Sequence, residues 1–175
     1  AIGEWTSAGS GISIGMISGG SLIMSAAHVC EISLNPGAKK IIKTHHTSIS
    51  IINYRNNTSE ARIIKVSNKA GDPRDLCMLY AKNLITSEVP FASHPPKVGE
   101  DVFSMSAPVG LYHPPTVPLL RGIFSGPLED GNVLVTIPAT GGSSGSGVLN
   151  SEMKLIGIVF ATARGFNQVY LCMQQ

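Results

Sequence analysis

Ser144 stands among glycines. The run Gly141-Gly142-Ser143-Ser144-Gly145-Ser146-Gly147 separates an apolar stretch ending at Ile137 from another that starts at Val148. A nucleophilic serine needs its hydroxyl clear of the surface and neighbouring backbone N–H groups converging on one point, where they hold an oxyanion. Glycines permit that unusual backbone path. An ordinary loop has the same composition, and the run on its own decides nothing. The best base for the serine is His28, in Ser25-Ala26-Ala27-His28-Val29-Cys30. It follows an apolar run and three small residues, which places an imidazole at a strand end with space around it. A core histidine bonded to the backbone is the other account of that residue. His45 and His46 lie in a basic turn, and His94 and His113 stand beside prolines, which are poorer settings. An acid to orient the base is offered by Asp75, directly before the apolar Leu76-Cys77-Met78-Leu79, whereas Asp72 lies inside the preceding turn. Asp75 reads either as a solvated turn residue or as a buried carboxylate accepting a hydrogen bond from imidazole.

Such residues need a rigid scaffold, and the sequence supplies strands. Ile12-Ser13-Ile14-Gly15-Met16-Ile17 alternates with a period of two, and Ser18-Gly19-Gly20 turns the chain into Ser21-Leu22-Ile23-Met24. Further strands are expected at 40–43, 48–54, 61–66, 76–81, 101–106, 117–125, 133–137, 154–162 and 168–173. Many short strands separated by turns predict an all-β sandwich or barrel. The 175 residues make one domain, or two small barrels sharing a core interface. Charged residues are 14%, below the roughly 25% of an average soluble protein, and the apolar share of 43% excludes disorder. With 19 glycines and 11 prolines, long helices are not expected. Scarce Glu, Lys and Leu exclude a coiled coil, and no apolar run approaches the roughly 20 residues of a membrane span. Ser93-His94-Pro95-Pro96 interrupts regular structure and divides the chain into halves of similar size. The net charge of +2 predicts no partner by itself.

The order His28, Asp75, Ser144, with what surrounds each, resembles the chymotrypsin-like (trypsin-like) serine proteases. Gly19-Gly20-Ser21-Leu22-Ile23-Met24-Ser25-Ala26-Ala27-His28 is similar to that family's strand leading into its histidine. Asp75-Leu76-Cys77-Met78-Leu79 resembles its Asp-Ile-Ala-Leu-Leu, and Gly142-Ser143-Ser144-Gly145-Ser146-Gly147 its Gly-Asp-Ser-Gly-Gly-Pro. Ile156-Gly157-Ile158-Val159 and Val169-Tyr170 resemble the strands that wall its substrate pocket. Gly9-Ser10-Gly11, Val98-Gly99 and Ala107-Pro108-Val109-Gly110-Leu111 are closer to its HtrA-type branch.

The resemblance implies two perpendicular six-stranded antiparallel β-barrels in one domain over 1–175. The first would cover about 1–92 and the second about 97–175, with the active site in the cleft between them. It implies Ser144 as nucleophile, His28 as general base and then acid, and Asp75 as the group that orients the imidazole. Backbone N–H groups of Gly142 and Ser144 would form the oxyanion hole, and no metal or cofactor is called for. The base of the substrate pocket falls near Pro138, Ala139 and Thr140, with Phe160, Ala161 and Thr162 as a wall and Gln168 across from it. No acid occurs there, which disfavours cleavage after Lys or Arg. Viral 3C-like members that cut after Gln or Glu carry a histidine on this wall, and Val159-Phe160 has none. Small or medium apolar residues and Gln are the expected preferences.

Two departures from the family pattern bear on the site. Ser143 replaces the aspartate that digestive members carry before the nucleophile, so activation by a new N-terminal ammonium is not expected. Ser18 stands where a disulfide cysteine usually precedes Gly-Gly. Cys30, Cys77 and Cys172 are odd in number and widely spaced, and they are expected as buried free thiols in a disulfide-free member. Free thiols favour a reducing compartment, the host cytoplasm for a viral protein. The chain runs from Ala1 to Gln174-Gln175, as a product cut between Gln and a small residue would. A viral protease processing its own polyprotein is therefore the leading expectation. An HtrA-type quality-control protease and a catalytically silent RNA- or protein-binding module are the alternatives. RNA enters because the segment 37–74 holds eight basic residues against Glu60 and Asp72. Charged outer faces of strands are the plainer account of that segment, since only Tyr54 offers a ring for stacking.

Overall fold

The computed structural model describes residues 6–31, 48–67, 74–162 and 169–173. Its first sheet contains β1 (Ile12–Ile17), β2 (Gly20–Ser25), β3 (Ile49–Ile52), β4 (Thr58–Ser67) and β5 (Leu76–Lys82). Their order is β1-β2-β5-β4-β3, and all pairings are antiparallel. β2 and β5 lie at the centre and are mostly buried, as their near-continuous apolar runs require of strands covered on both faces. Ser25 at the end of β2 pairs with Cys77 near the start of β5. Residues just after β2 and just before β5 therefore share one edge of the sheet. A single helical turn, α1 (Ala27–Cys30), follows β2 at that edge.

The second sheet is a closed six-stranded barrel. It consists of β6 (Asp101–Met105), β7 (Leu119–Pro127), β8 (Asn132–Val135), β9 (Gly147–Leu149), β10 (Leu155–Thr162) and β11 (Val169–Met173), in the order β10-β11-β8-β7-β6-β9. The expected all-β, two-barrel architecture holds. Five strands of the first barrel fall among the described residues, and the strand expected at 40–43 lies outside them. β9 was not expected, because three residues beside a glycine-rich run are too few to display a period.

Each sheet has its own core. Ile23, Cys30, Cys77, Leu79, Ala81 and Leu84 fill the first, and Val102, Phe124, Val133, Val135, Ile137, Val148, Ile156 and Val159 fill the second. A third cluster joins them: Met24 of β2 packs with Leu149, Leu155 and Ile158 of the second barrel. Burying one such side chain stabilises by about 1.5–3 kcal/mol, so this junction fixes how the barrels meet.

The expectation of free thiols is overturned. Cys30 and Cys77 form a disulfide with their Cα atoms 6.4 Å apart, both nearly inaccessible to solvent. Spacing along the chain concealed it, because the two residues are 47 apart. Sheet register brings them together: Cys77 lies opposite Ser25, and α1 turns Cys30 back over β5. The compartment read from free thiols loses its premise.

Candidate active site

Asp75 lies one residue before β5, and α1 is built upon it. Its carbonyl accepts the Ala27 N–H at 3.2 Å, and its Oδ1 accepts the His28 N–H at 2.9 Å. Its Oδ2 lies 2.5 Å from His28 Nδ1. An ionised carboxylate only accepts, so Nδ1 carries the proton and Nε2 keeps its lone pair. The Asp75 side chain is 23% exposed and that of His28 is 48% exposed. The pair is thus a partly sheltered acid holding an open imidazole, and not a solvated turn residue beside a core histidine.

Between Gly141 and Ser146 the nucleophile loop has nearly every peptide plane tied. The Gly141 carbonyl accepts from Val109 N–H at 2.6 Å, and the Ser143 carbonyl accepts from Ser146 N–H at 3.0 Å. The Gly142 carbonyl accepts from the Ser10 hydroxyl at 2.7 Å, and the Ser144 carbonyl from Ser10 N–H at 2.8 Å. Ser143 N–H donates to the Thr140 carbonyl, and Gly145 N–H to the Val159 carbonyl. In a trans peptide, N–H and C=O point to opposite sides. The N–H groups of Gly142 and Ser144 therefore face away from their bonded carbonyls, and neither has an acceptor among the described residues. These are the two donors expected to form an oxyanion hole.

Gly142 and Gly145 make the loop's path possible. Their φ values of +92° and +87° lie where side chains are rarely tolerated. A Cβ on Gly142 would overlap the Ala107 carbonyl oxygen. A Cβ on Gly145 would overlap the Ser10 carbonyl oxygen and the Ser25 hydroxyl, and would lie 3.0 Å from Ala26 N. Gly145 is therefore pressed against the residues that lead into His28. Ser144 is half-buried beside it. No hydrogen bond runs from Ser144 to His28 among the described residues; the packing of Gly145 and the bonds of Ser10 join the two halves. Catalytic hydrogen bonds commonly tighten only when substrate is bound.

Ser143 is almost fully buried, and its hydroxyl accepts from Thr140 N–H at 3.3 Å. At the position where an acid was noted as missing, a neutral hydroxyl instead stitches the loop to the segment before it. That segment, Pro138-Ala139-Thr140, lies along the surface, with Ala139 half-buried on the second core. Val159 bonds the loop on both sides, accepting from Gly145 N–H at 2.7 Å and donating to the Ser146 carbonyl at 2.9 Å. Phe160 and Ala161 follow it half-buried, and Thr162 is exposed. Both expected pocket segments thus extend directly from the nucleophile loop. Gln168 lies outside the described residues.

Contacts from residues 10, 107 and 109 were not legible in advance, because small residues outside strands carry no periodic signal. The loop that supplies Ala107 and Val109 is itself anchored across the barrels, since the Tyr112 hydroxyl donates to the Asn53 carbonyl. Burial pushes the Tyr112 phenol above its usual pKa, which keeps it a donor. In the basic segment, Arg55 lies over the Tyr54 ring at 5.2 Å and Arg62 over Tyr80 at 5.1 Å. Lys39, Lys40, Lys43 and Lys69 lie outside the described residues.

Residues 9–158 match the trypsin-like peptidase domain family. No curated protein matches the chain in sequence. Among solved structures, the fold is similar to a serine endoprotease from Yersinia pestis, with a TM-score of 0.71 and 20% identity over 94% of this chain. It is equally similar to the inactive form of a serine-to-alanine mutant of Rv3671c from M. tuberculosis, with a TM-score of 0.71 and 17% identity over 94% of this chain. The chain spans 52% of the first of these proteins and 75% of the second.

Proposed function

The chain belongs to the trypsin-like peptidase family, and from that premise we propose that it is a serine endopeptidase working through an acyl-enzyme at Ser144. The observation that carries this reading is the use of both Asp75 oxygens by His28, one on the backbone and one on Nδ1, which leaves Nε2 as a base. In the first step Ser144 Oγ attacks the scissile carbonyl while Nε2 takes its proton. The oxyanion forms opposite the Gly142 and Ser144 N–H groups, a contribution of roughly 3 kcal/mol per donor. Collapse breaks the C–N bond, and the imidazolium returns the proton to the leaving amine. Water then repeats the sequence on the ester, with Nε2 again as base, and releases the acid. Asp75 stays ionised and stabilises the imidazolium throughout.

Residues 1–175 act as one protease unit in this reading, with barrels over about 1–92 and 97–175. The substrate is a polypeptide, accepted at 138–140 and 160–162, and its P1 residue is small or medium apolar, or Gln. The polyprotein setting and the HtrA-type quality-control setting share this chemistry. They are separated by incubating the protein with an unfolded substrate such as casein and with a library of folded domains joined by peptide linkers. Cuts at a few linker sequences support processing, and many cuts confined to casein support quality control. No cleavage of either, with Ser144→Ala as the blank, contradicts the endopeptidase reading.

A further inference from the structure

Ser10 commits all of its polar groups to the neighbourhood of the nucleophile. Its N–H donates to the Ser144 carbonyl at 2.8 Å, and its hydroxyl donates to the Gly142 carbonyl at 2.7 Å. The same hydroxyl accepts from Ala107 N–H at 3.1 Å, and the Ser10 carbonyl accepts from the Ser25 hydroxyl at 2.7 Å. One residue thus ties the nucleophile loop to the end of β2, three residues before His28, and to the loop before β7. We infer that Ser10 is a positioning residue for the oxyanion hole, its hydroxyl fixing the peptide plane that follows Gly142 and, through Ala107, the wall against which Gly142 packs. This rests on the serine peptidase reading above.

Gly142 is the residue in the hole with the most backbone freedom, since it has no Cβ and sits at a φ of +92°. It offers nothing to hold except its own peptide groups. The preceding peptide is held at the Gly141 carbonyl by Val109, and the following one at the Gly142 carbonyl by Ser10. Removing the Ser10 hydroxyl frees the second of these and takes away the acceptor of Ala107 N–H. Ala107 is also the residue whose carbonyl presses on Gly142. The bond to the Gly142 carbonyl and the wall that Ala107 forms against Gly142 therefore loosen together, while Val109 still holds the Gly141 carbonyl. An N–H displaced by a fraction of an ångström binds the ground state as before, and loses its contact with the charge that develops on the oxyanion.

The test compares wild type with Ser10→Ala, Ser25→Ala and Ser21→Ala on one peptide substrate and on the aldehyde of the same peptide. Ser21 is a matched control in the first barrel, fully buried, with its hydroxyl bonded to the Leu84 carbonyl. For Ser10→Ala, kcat is expected to fall about ten- to a hundredfold with KM within about twofold, and aldehyde affinity to fall by the same factor as kcat. Ser21→Ala is expected to lower Tm while keeping kcat. A Ser10→Ala enzyme with wild-type kcat overturns the inference. So does one whose losses follow Tm as those of Ser21→Ala do. If Ser10→Ala does not fold, Ser25→Ala decides, because the hydrogen bond it removes is the one to the Ser10 carbonyl. A smaller fall in kcat at unchanged KM supports the inference, and unchanged kcat overturns it. A wild type that neither hydrolyses peptides nor reacts with a fluorophosphonate defeats the peptidase reading itself, and this inference falls with it.

Discussion

The Cys30–Cys77 disulfide predicts a stability loss whose size follows from its position. The bond closes a loop between residues 47 apart in sequence. Opening it releases loop-closure entropy to the unfolded chain, which in the chain-entropy account is worth about 4 kcal/mol at 25 °C for a loop of this length. A chain of this size unfolds with an entropy of about 0.4 kcal/mol/K, so the reduced protein should melt about 10 °C below the oxidised one. The assay is a thermal melt of oxidised protein against protein unfolded, reduced and refolded under a thiol-free reductant. Thiol titration of the unreduced, denatured chain accompanies it. With three cysteines in the sequence, one free thiol is expected. Below both transitions activity should persist, because Asp75 still holds α1 through Ala27 N–H, His28 N–H and His28 Nδ1. Three free thiols, or equal melting temperatures, would refute the reasoning.

Two substitutions test the site's geometry. Asp75→Asn retains the shape of the side chain, but its amide nitrogen cannot accept from His28. Presenting that nitrogen to the ring forces the wrong imidazole tautomer, and kcat should fall about 10⁴-fold at similar KM. A loss below tenfold would count against Asp75 as the orienting group. Gly145→Ala places a Cβ into the Ser10 carbonyl and the Ser25 hydroxyl at a φ of +87°. The left-handed backbone alone costs roughly 1–2 kcal/mol, and relieving the overlap must move the loop off the end of β2. Both Tm and kcat should fall, and a variant that keeps both contradicts the packing of Gly145 on Ala26.

How much of this was legible in the sequence depended on the kind of signal. Strands β1, β2 and β5 announced themselves by alternation or by continuous apolar runs, and the two-barrel architecture came with the motifs around His28, Asp75 and Ser144. The His28–Asp75 pair was readable because both residues abut strong strands whose ends must meet somewhere. Their meeting point is a matter of register, in which Ser25 pairs with Cys77. The same register hid the disulfide, since its partners carry no spacing rule along the chain. Ser10, Ala107 and Val109 stood inside runs that resemble the HtrA-type branch, and nothing in those runs marked what they contact. Their importance lies in which carbonyl each N–H or hydroxyl reaches, and composition holds no trace of that. β9 escaped for a related reason, as its pairing with β6 and β10 defines it more than its three residues do.

The central claim is an activated Ser144, and its most direct test is the intact mass of the protein after exposure to a fluorophosphonate, beside Ser144→Ala treated in the same way. One adduct on the wild type and none on the variant is the predicted result. An unmodified wild type, or an adduct that survives in Ser144→Ala, would contradict it.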